Sequence, residues 1–390
     1  MSYKSLFLYT NLSSLLVNVS LKGVCDFTKS KHNKMNNKMI KIVFIIYTIY
    51  YMEIIIHDKR PEKEFNTTTF SNYKKSDVIK TFIESMNNQN IENALFWYVE
   101  LLCSGRLKDL WDAFIITMGK HIRGGNPKLA TYISVRFEKF KGIIMNGYAD
   151  NELEVRNSPD MRKLLAEIVL VLCYSPKKPS LQMLKINKKE DFSFDRLGLN
   201  LKADNMEWCK KVMKEEDPKE IILCLNEFTY HFYNNNLLRS CYWVDWLIDF
   251  DALCRKQKKP ITILEREFVK VDTKFISDPI WLLWEVLKRR CKNEEEVIVN
   301  ALLDLFSIKY NFSQKKKRKH LLYLGIELFT ESPSLTIPIV HHADKIKTIL
   351  PQVGKFYKSI KKYEQRPDII NEKHRNLQKS IDKMKMVFDF

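Results

Sequence analysis

Glycine and proline are scarce in this chain, with 10 Gly and 12 Pro in 390 residues. Turn-rich β-sandwiches draw heavily on both, so the shortage disfavours them and suits helices joined by short connections. Reaction chemistry is missing too. There is no G-x-x-x-x-G-K-[ST], no H-E-x-x-H, no G-x-S-x-G and no C-x-x-C, and no carboxylate pair stands at an informative spacing beside a histidine. The pair His341-His342 before Asp344 is a weak metal candidate, because adjacent rings on any regular element point in different directions. The sequence therefore implies a non-enzymatic protein with no cofactor, no metal and no catalytic residue.

What is present is ample core material: 45% of residues are hydrophobic and 12% aromatic, enough for two or three packed domains at this length. The eight cysteines are dispersed through apolar runs, where a thiol behaves as a small buried hydrophobe, and this usage fits a reducing compartment. The net charge of +18 is uneven. Residues 1–51 hold seven Lys against one Asp, and residues 309–390 hold eighteen Lys/Arg against eight Asp/Glu, which leaves the middle nearly neutral. Such an excess at one end points to a polyanion, usually nucleic acid; the other reading is a solvated lysine-rich face without a partner.

Residues 1–51 lack a sustained period and read as poorly ordered, or as an extension upstream of a start at Met39 or Met52. Their hydrophobic run, 42–52, lies between Lys41 and Glu53 and falls short of the roughly 20 apolar residues of a membrane span, so a membrane partner is not expected. Residues 52–76 form a polar lead-in without a core face. A first helical domain is expected over 77–178. Ser76 is its N-cap, and Val78, Ile79, Phe82, Ile83 and Met86 form an apolar stripe. Residues 87–90 turn the chain, and 91–104 return it with Ala94, Trp97 and Leu101 inward and Glu92 and Glu100 elsewhere, until Gly105 stops the helix. A helix over 107–122 follows. Two glycines in the basic stretch from His121 to Pro127 suggest an anion-binding loop, but no strand precedes them. The preferred reading makes Asn126 an N-cap with Pro127 at the first helical position. Ser158-Pro159 opens a further helix that ends at the Ser175-Pro176 break.

Residues 179–205 read as a linker and 206–308 as a second helical domain. Its hairpin matches the first at an offset of 146, setting Asn90 on Asn236, Phe82 on Phe228, Trp97 on Trp243 and Leu101 on Leu247. This is a degenerate duplication of a helical hairpin. The spacing Trp243-x-x-Trp246 recurs as Trp281-x-x-Trp284, and indoles at i and i+3 share one helix face for packing. Residues 309–390 form a basic C-terminal helical region. Three clusters are the candidate nucleic-acid contacts: Lys288, Arg289, Arg290 and Lys292; Lys315, Lys316, Lys317, Arg318 and Lys319; and Lys355, Lys358, Lys361 and Lys362. Crowded cations repel, so they belong at a solvated edge or against phosphates.

Three runs between residues 77 and 178 carry a resemblance. They are Ala94-Leu-Phe-Trp-Tyr-Val-Glu-Leu-Leu-Cys-Ser-Gly105, His121-Ile-Arg-Gly-Gly-Asn-Pro-Lys-Leu-Ala130, and the stretch from Met161 to Tyr174-Ser-Pro-Lys-Lys178. In order and spacing they resemble the C-terminal helical collar domain of clamp-loader-clade AAA+ ATPases. There an A-L-Y-W-L-A-x-x-L-x-x-G helix, an I-G-x-A-[DN]-P turn and an A-x-x-x-L-x-x-x-P-K helix build the oligomerising collar. The Walker motifs are absent here, so no nucleotide-binding residue carries over. The whole sequence also resembles proteins of giant DNA viruses, which share the stretch from Tyr73 to Asp77 and the Gly119-Lys-His-Ile122 and Asn126-Pro-Lys-Leu129 runs. The resemblances imply an all-α, clamp-loader-like assembly protein that binds DNA and replication subunits in the host cytoplasm or viral factory. The alternative is a structural, virion-packaged helical protein whose partners are other proteins.

Overall fold

Helical periodicity in the sequence is realised as helix in most of the chain. A computed structural model describes residues 54–146, 151–187, 190–193, 198 and 201–365. The described residues form an all-α fold with no strand, only an isolated bridge between Thr68 and Lys74. In chain order come α1 (Lys75–Asn87), α2 (Ile91–Cys103), α3 (Leu107–Ile116) with a π-helical turn (Thr117–Ile122), α4 (Leu129–Met145), α5 (Glu152–Asn157) and α6 (Pro159–Tyr174). Further along the chain follow α7 (Ile222–Tyr233), α8 (Leu237–Lys256), α9 (Ile280–Arg290), α10 (Glu294–Ser307), α11 (Phe312–Thr330), α12 (Ala343–Ile349) and α13 (Gly354–Ile360).

The two hairpins share their turn bond for bond. Asn90 N–H donates to Ser85 O at 2.9 Å, closing α1, while its side-chain oxygen accepts from Asn93 N at 3.2 Å and opens α2. Gln89, at φ 55°, is the left-handed residue that such a helix ending requires. At the 146-residue offset Asn236 N–H donates to His231 O at 2.9 Å, Asn236 Oδ1 accepts from Arg239 N at 3.1 Å, and Asn235 takes φ 57°. Asparagine suits both positions because it tolerates a left-handed neighbour and caps with its side chain. Trp243, Trp281 and Trp284 are fully buried, and Trp281 and Trp284 both pack on Phe306.

One continuous apolar core runs from Ile56 to Ile360, and α11 lies at its centre. Helix α11 packs on α8, α10, α7, α9, α3 and the π turn. Residues 309–330 therefore join the two helical units rather than flanking them. Leu321, Leu322, Leu324 and Ile326 of α11 are fully buried, each contributing about 1.5–3 kcal/mol.

Several local expectations are corrected. The 52–76 lead-in has a core face after all: Ile56, Phe65 and Phe70 are buried, and Ser71 N–H and Oγ donate to Glu100 at 2.6 and 2.7 Å. Glu100 is thereby drawn inside, because it satisfies backbone that wraps over α2. Helix α1 begins two residues early, at Lys75 with Lys74 as its N-cap, and Ser76 Oγ turns to Asp77. Asn126 does not cap α4, whose N-cap is Lys128; its side chain is buried and donates to Ile339 O at 2.9 Å. Part of the expected linker is anchored, with Lys202 and Ala203 N–H donating to Glu227 and Phe192 packing on Trp246. Among the described residues no helix is long and apolar enough to cross a membrane. The 42–52 run and the chain beyond residue 365 lie outside the described residues.

Candidate nucleic-acid interface

The basic run of α11 faces α8, and α8 carries Asp245, Asp249 and Asp251 on the facing side. Lys319 Nζ lies 2.8 Å from both Asp245 oxygens, and Lys316 Nζ lies 3.1 Å from Asp249 Oδ1. Rising number on one helix meets falling number on the other, so the two form an antiparallel charge zipper. Lys315 goes deeper. Its ammonium is 3% exposed, bonds Asp251, and lies 2.9 and 2.8 Å from the Asp278 oxygens. Tyr310 hydroxyl donates to Asp278 at 3.0 Å; its pKa is raised by burial and then by that carboxylate. Arg318 is also interior, donating to Phe306 O at 3.0 Å and to Ile308 O, with Asp112 beside it. Burial lowers its pKa.

The expected solvated edge is thus corrected for Lys315 and Arg318. Because α11 runs through the core, the cations of the run that point inward meet carboxylates or carbonyls. Lys317 stays exposed. In the first cluster, Arg289 pairs with Glu285 at 2.7 Å, while Arg290 donates to Phe232 O at 2.6 Å and stacks over Phe232. Lys288 donates to Asn300 at 2.6 Å, and Lys292 is exposed. In the third, Lys355 reaches Glu92 at 2.9 Å, Lys358 and Lys362 are exposed, and Lys361 is half-buried, on or just beyond a helix, α13, that packs on α2. The three clusters serve three different places.

A smaller cationic face does assemble where the π turn meets α11. Gly119 lies against the His320 backbone so closely that a Cβ there would be 3.3 Å away. That approach sets exposed Lys120 and half-exposed His121 beside His320, with Lys317 one turn earlier on α11. His320 has its pKa pushed down to about 4, by burial first and then by Lys319, Lys120, His121 and Arg123. His121 is lowered as well, by burial and then by Lys120 and Lys177. Burial is the first cause of both shifts, and the cations that add to it create a positive potential that a phosphate would relieve. Lys120, His121 and His320 are not among the three clusters of candidate nucleic-acid contacts read from the sequence, although His121 opens the stretch read there as a possible anion-binding loop.

His320 also sets an acid limit. An unfolded histidine protonates near 6.5. Between about 6.5 and about 4 the unfolded chain binds a proton that folded His320 does not, so stability falls as pH drops through that window and is complete above it. The gap amounts to at most about 3 kcal/mol. His320→Gln should flatten this loss in urea titrations at pH 4.5 and 7; an identical loss in the variant would exclude His320 as the cause.

Other polar groups noted in the sequence are structural. Lys177 closes α6, donating to Leu172 O, Cys173 O and Ser175 O at 2.8–2.9 Å, and burial lowers its pKa to about 8. The seven described cysteines carry free thiols, and burial raises Cys103 and Cys173 to about 12. His342 packs edge-on against Tyr174, and among the described residues no group of three or more metal-ligating side chains gathers. Comparison with family models, with curated proteins and with solved structures finds no match to the chain.

Proposed function

We propose that the chain is a non-enzymatic, replication-associated assembly protein of a large DNA virus, holding DNA against the face formed by Lys120, His121, Lys317 and His320. The carrying observation is the approach of Gly119 to the His320 backbone, which brings Lys120 and His121 to His320, with Lys317 three residues earlier on α11. The clamp-loader-like part draws support from packing: α6, which holds the third collar-like run, packs on α2, which holds the first, and on the π turn, where the second begins. Phosphate contact by a few exposed lysines gives salt-dependent, sequence-tolerant binding.

A second reading, a structural helical protein with protein partners, is favoured by the internal pairing of Lys315, Lys316, Arg318 and Lys319. Anisotropy of a labelled duplex separates the two. Lys120→Glu with Lys317→Glu should weaken binding at 50 mM salt at least tenfold and reduce the salt slope by about 2. Absent binding, or binding unchanged in the double variant, leaves the second reading, which stoichiometric recovery from purified virions would support.

A further inference from the structure

An open groove of about 810 Å³ lies between α4 and α10. It exists because the apolar side chains in the far half of α4 are only partly covered by their neighbours. Of that helix only Leu129, Ala130 and Ile133 are buried; Phe137 and Phe140 are half-exposed and Met145 is 78% exposed. Trp111 packs edge-on against both rings from one side, at 4.8 and 5.2 Å between centroids, and so fixes them as a floor. Across the groove stand Leu303 and Phe268.

The rim is cationic. Lys141, Lys270, Lys288 and Lys309 line it against two carboxylates, Glu138 and Asp304. Glu138 is engaged with Lys141 at 2.7 Å, and Lys288 with Asn300. Lys270 and Lys309 are exposed at the mouth and meet no carboxylate within ion-pair reach among the described residues. Asp304 has its pKa raised by partial burial, with Lys270, Lys141 and Lys288 opposing.

From these features we infer that the groove between α4 and α10 receives an acidic amphipathic helix of a partner protein. The lining of α4 from Ser134 to Met145 rises about 16 Å, three helical turns. Apolar anchors at i, i+3, i+4 and i+7 of such a helix meet the aromatic floor, and its acidic flanks meet Lys270 and Lys309. The chain's own ends are poor occupants, since residues 1–51 hold seven Lys against one Asp and residues 366–390 six Lys/Arg against four Asp/Glu. Exposed methionine at the open end suits a surface that repacks around a partner.

The test uses the full-length protein and two labelled three-turn peptides with identical Leu/Phe anchors, one flanked by Glu and one by Lys. The Glu peptide should bind at least tenfold tighter at low salt, and Lys270→Glu with Lys309→Glu should abolish that preference while circular dichroism stays native. Lys120→Glu with Lys317→Glu should leave peptide affinity unchanged, which separates this groove from the proposed DNA face. Equal binding of both peptides, no binding of either, equal loss in the Lys120/Lys317 variant, or complete displacement by dodecanoate overturns the inference.

Discussion

Lys315→Met should lower the unfolding free energy by about 3–5 kcal/mol in urea titrations, the range expected when a buried ion pair loses one partner. Methionine keeps most of the volume, so packing accounts for little of the effect. What changes is charge: the Lys315 ammonium bonds Asp251 and Asp278, which are fully buried. Without it, Arg255 remains their chief counterion, at 2.8 Å from Asp251 and 3.9 Å from Asp278. Asp278 is tied further, capping Ile280 N at 3.0 Å and accepting from Tyr310. Pairing the change with Asp251→Asn should recover part of the loss, because one stranded charge disappears with the lysine. A Lys315→Met protein within 1 kcal/mol of the parent would falsify the buried network.

This cost bears on the nucleic-acid question. Replacing residues 315–319 as a block removes a core ion pair, the Arg318 anchor and the α8 zipper together, so DNA binding lost in such a variant reports unfolding. Substitution at Lys317 and Lys120 avoids the confusion, as both are exposed.

The difference between the sequence reading and the fold follows the range of the interactions. Helix positions and the Asn90 and Asn236 turns rest on residues within five positions of one another, and those were legible. The carboxylate partners of Lys315, Lys316 and Lys319 lie 37 to 74 residues away, and no local pattern links them. One signal existed: Asp245, Asp249 and Asp251 sit among tryptophans on a helix otherwise apolar, where unpaired carboxylates are costly. The 52–76 segment was opaque for the converse reason. Its aromatics have no helical period, because Phe65 and Phe70 are placed by an irregular chain, fixed in part by the bond from Phe70 N–H to Ser104 Oγ at 2.8 Å. In the sequence Gly124 and Gly125 read as loop residues ahead of an Asn126 cap, whereas their contacts show close approach.

That approach underlies the second large effect. Glu327 is fully buried on α11 and ties two segments to it, through Arg123 Nε at 2.9 Å and Lys178 Nζ at 2.8 Å, while Gly124 packs so close that a Cβ would stand 2.6 Å from its Oε1. Arg123 is kept at φ 52° and ψ −138°, a conformation costing about 1–3 kcal/mol for a non-glycine residue. Its guanidinium, 5% exposed, otherwise reaches only Pro179 O. Glu327→Ala should therefore cost about 3–5 kcal/mol, leaving a buried cation without its counterion. Gly124→Ala should cost about 1–3 kcal/mol alone, through the collision with Glu327. The two losses should not add. With the carboxylate gone the added methyl has room, so the double variant should be no more than about 0.5 kcal/mol less stable than Glu327→Ala. Gly125→Ala serves as the contrast, since its Cβ would meet the Pro176 carbonyl at 2.6 Å, backbone that Glu327→Ala does not move. Strict additivity for Gly124, or relief for Gly125 as well, would show that α11 does not clamp this loop through Glu327.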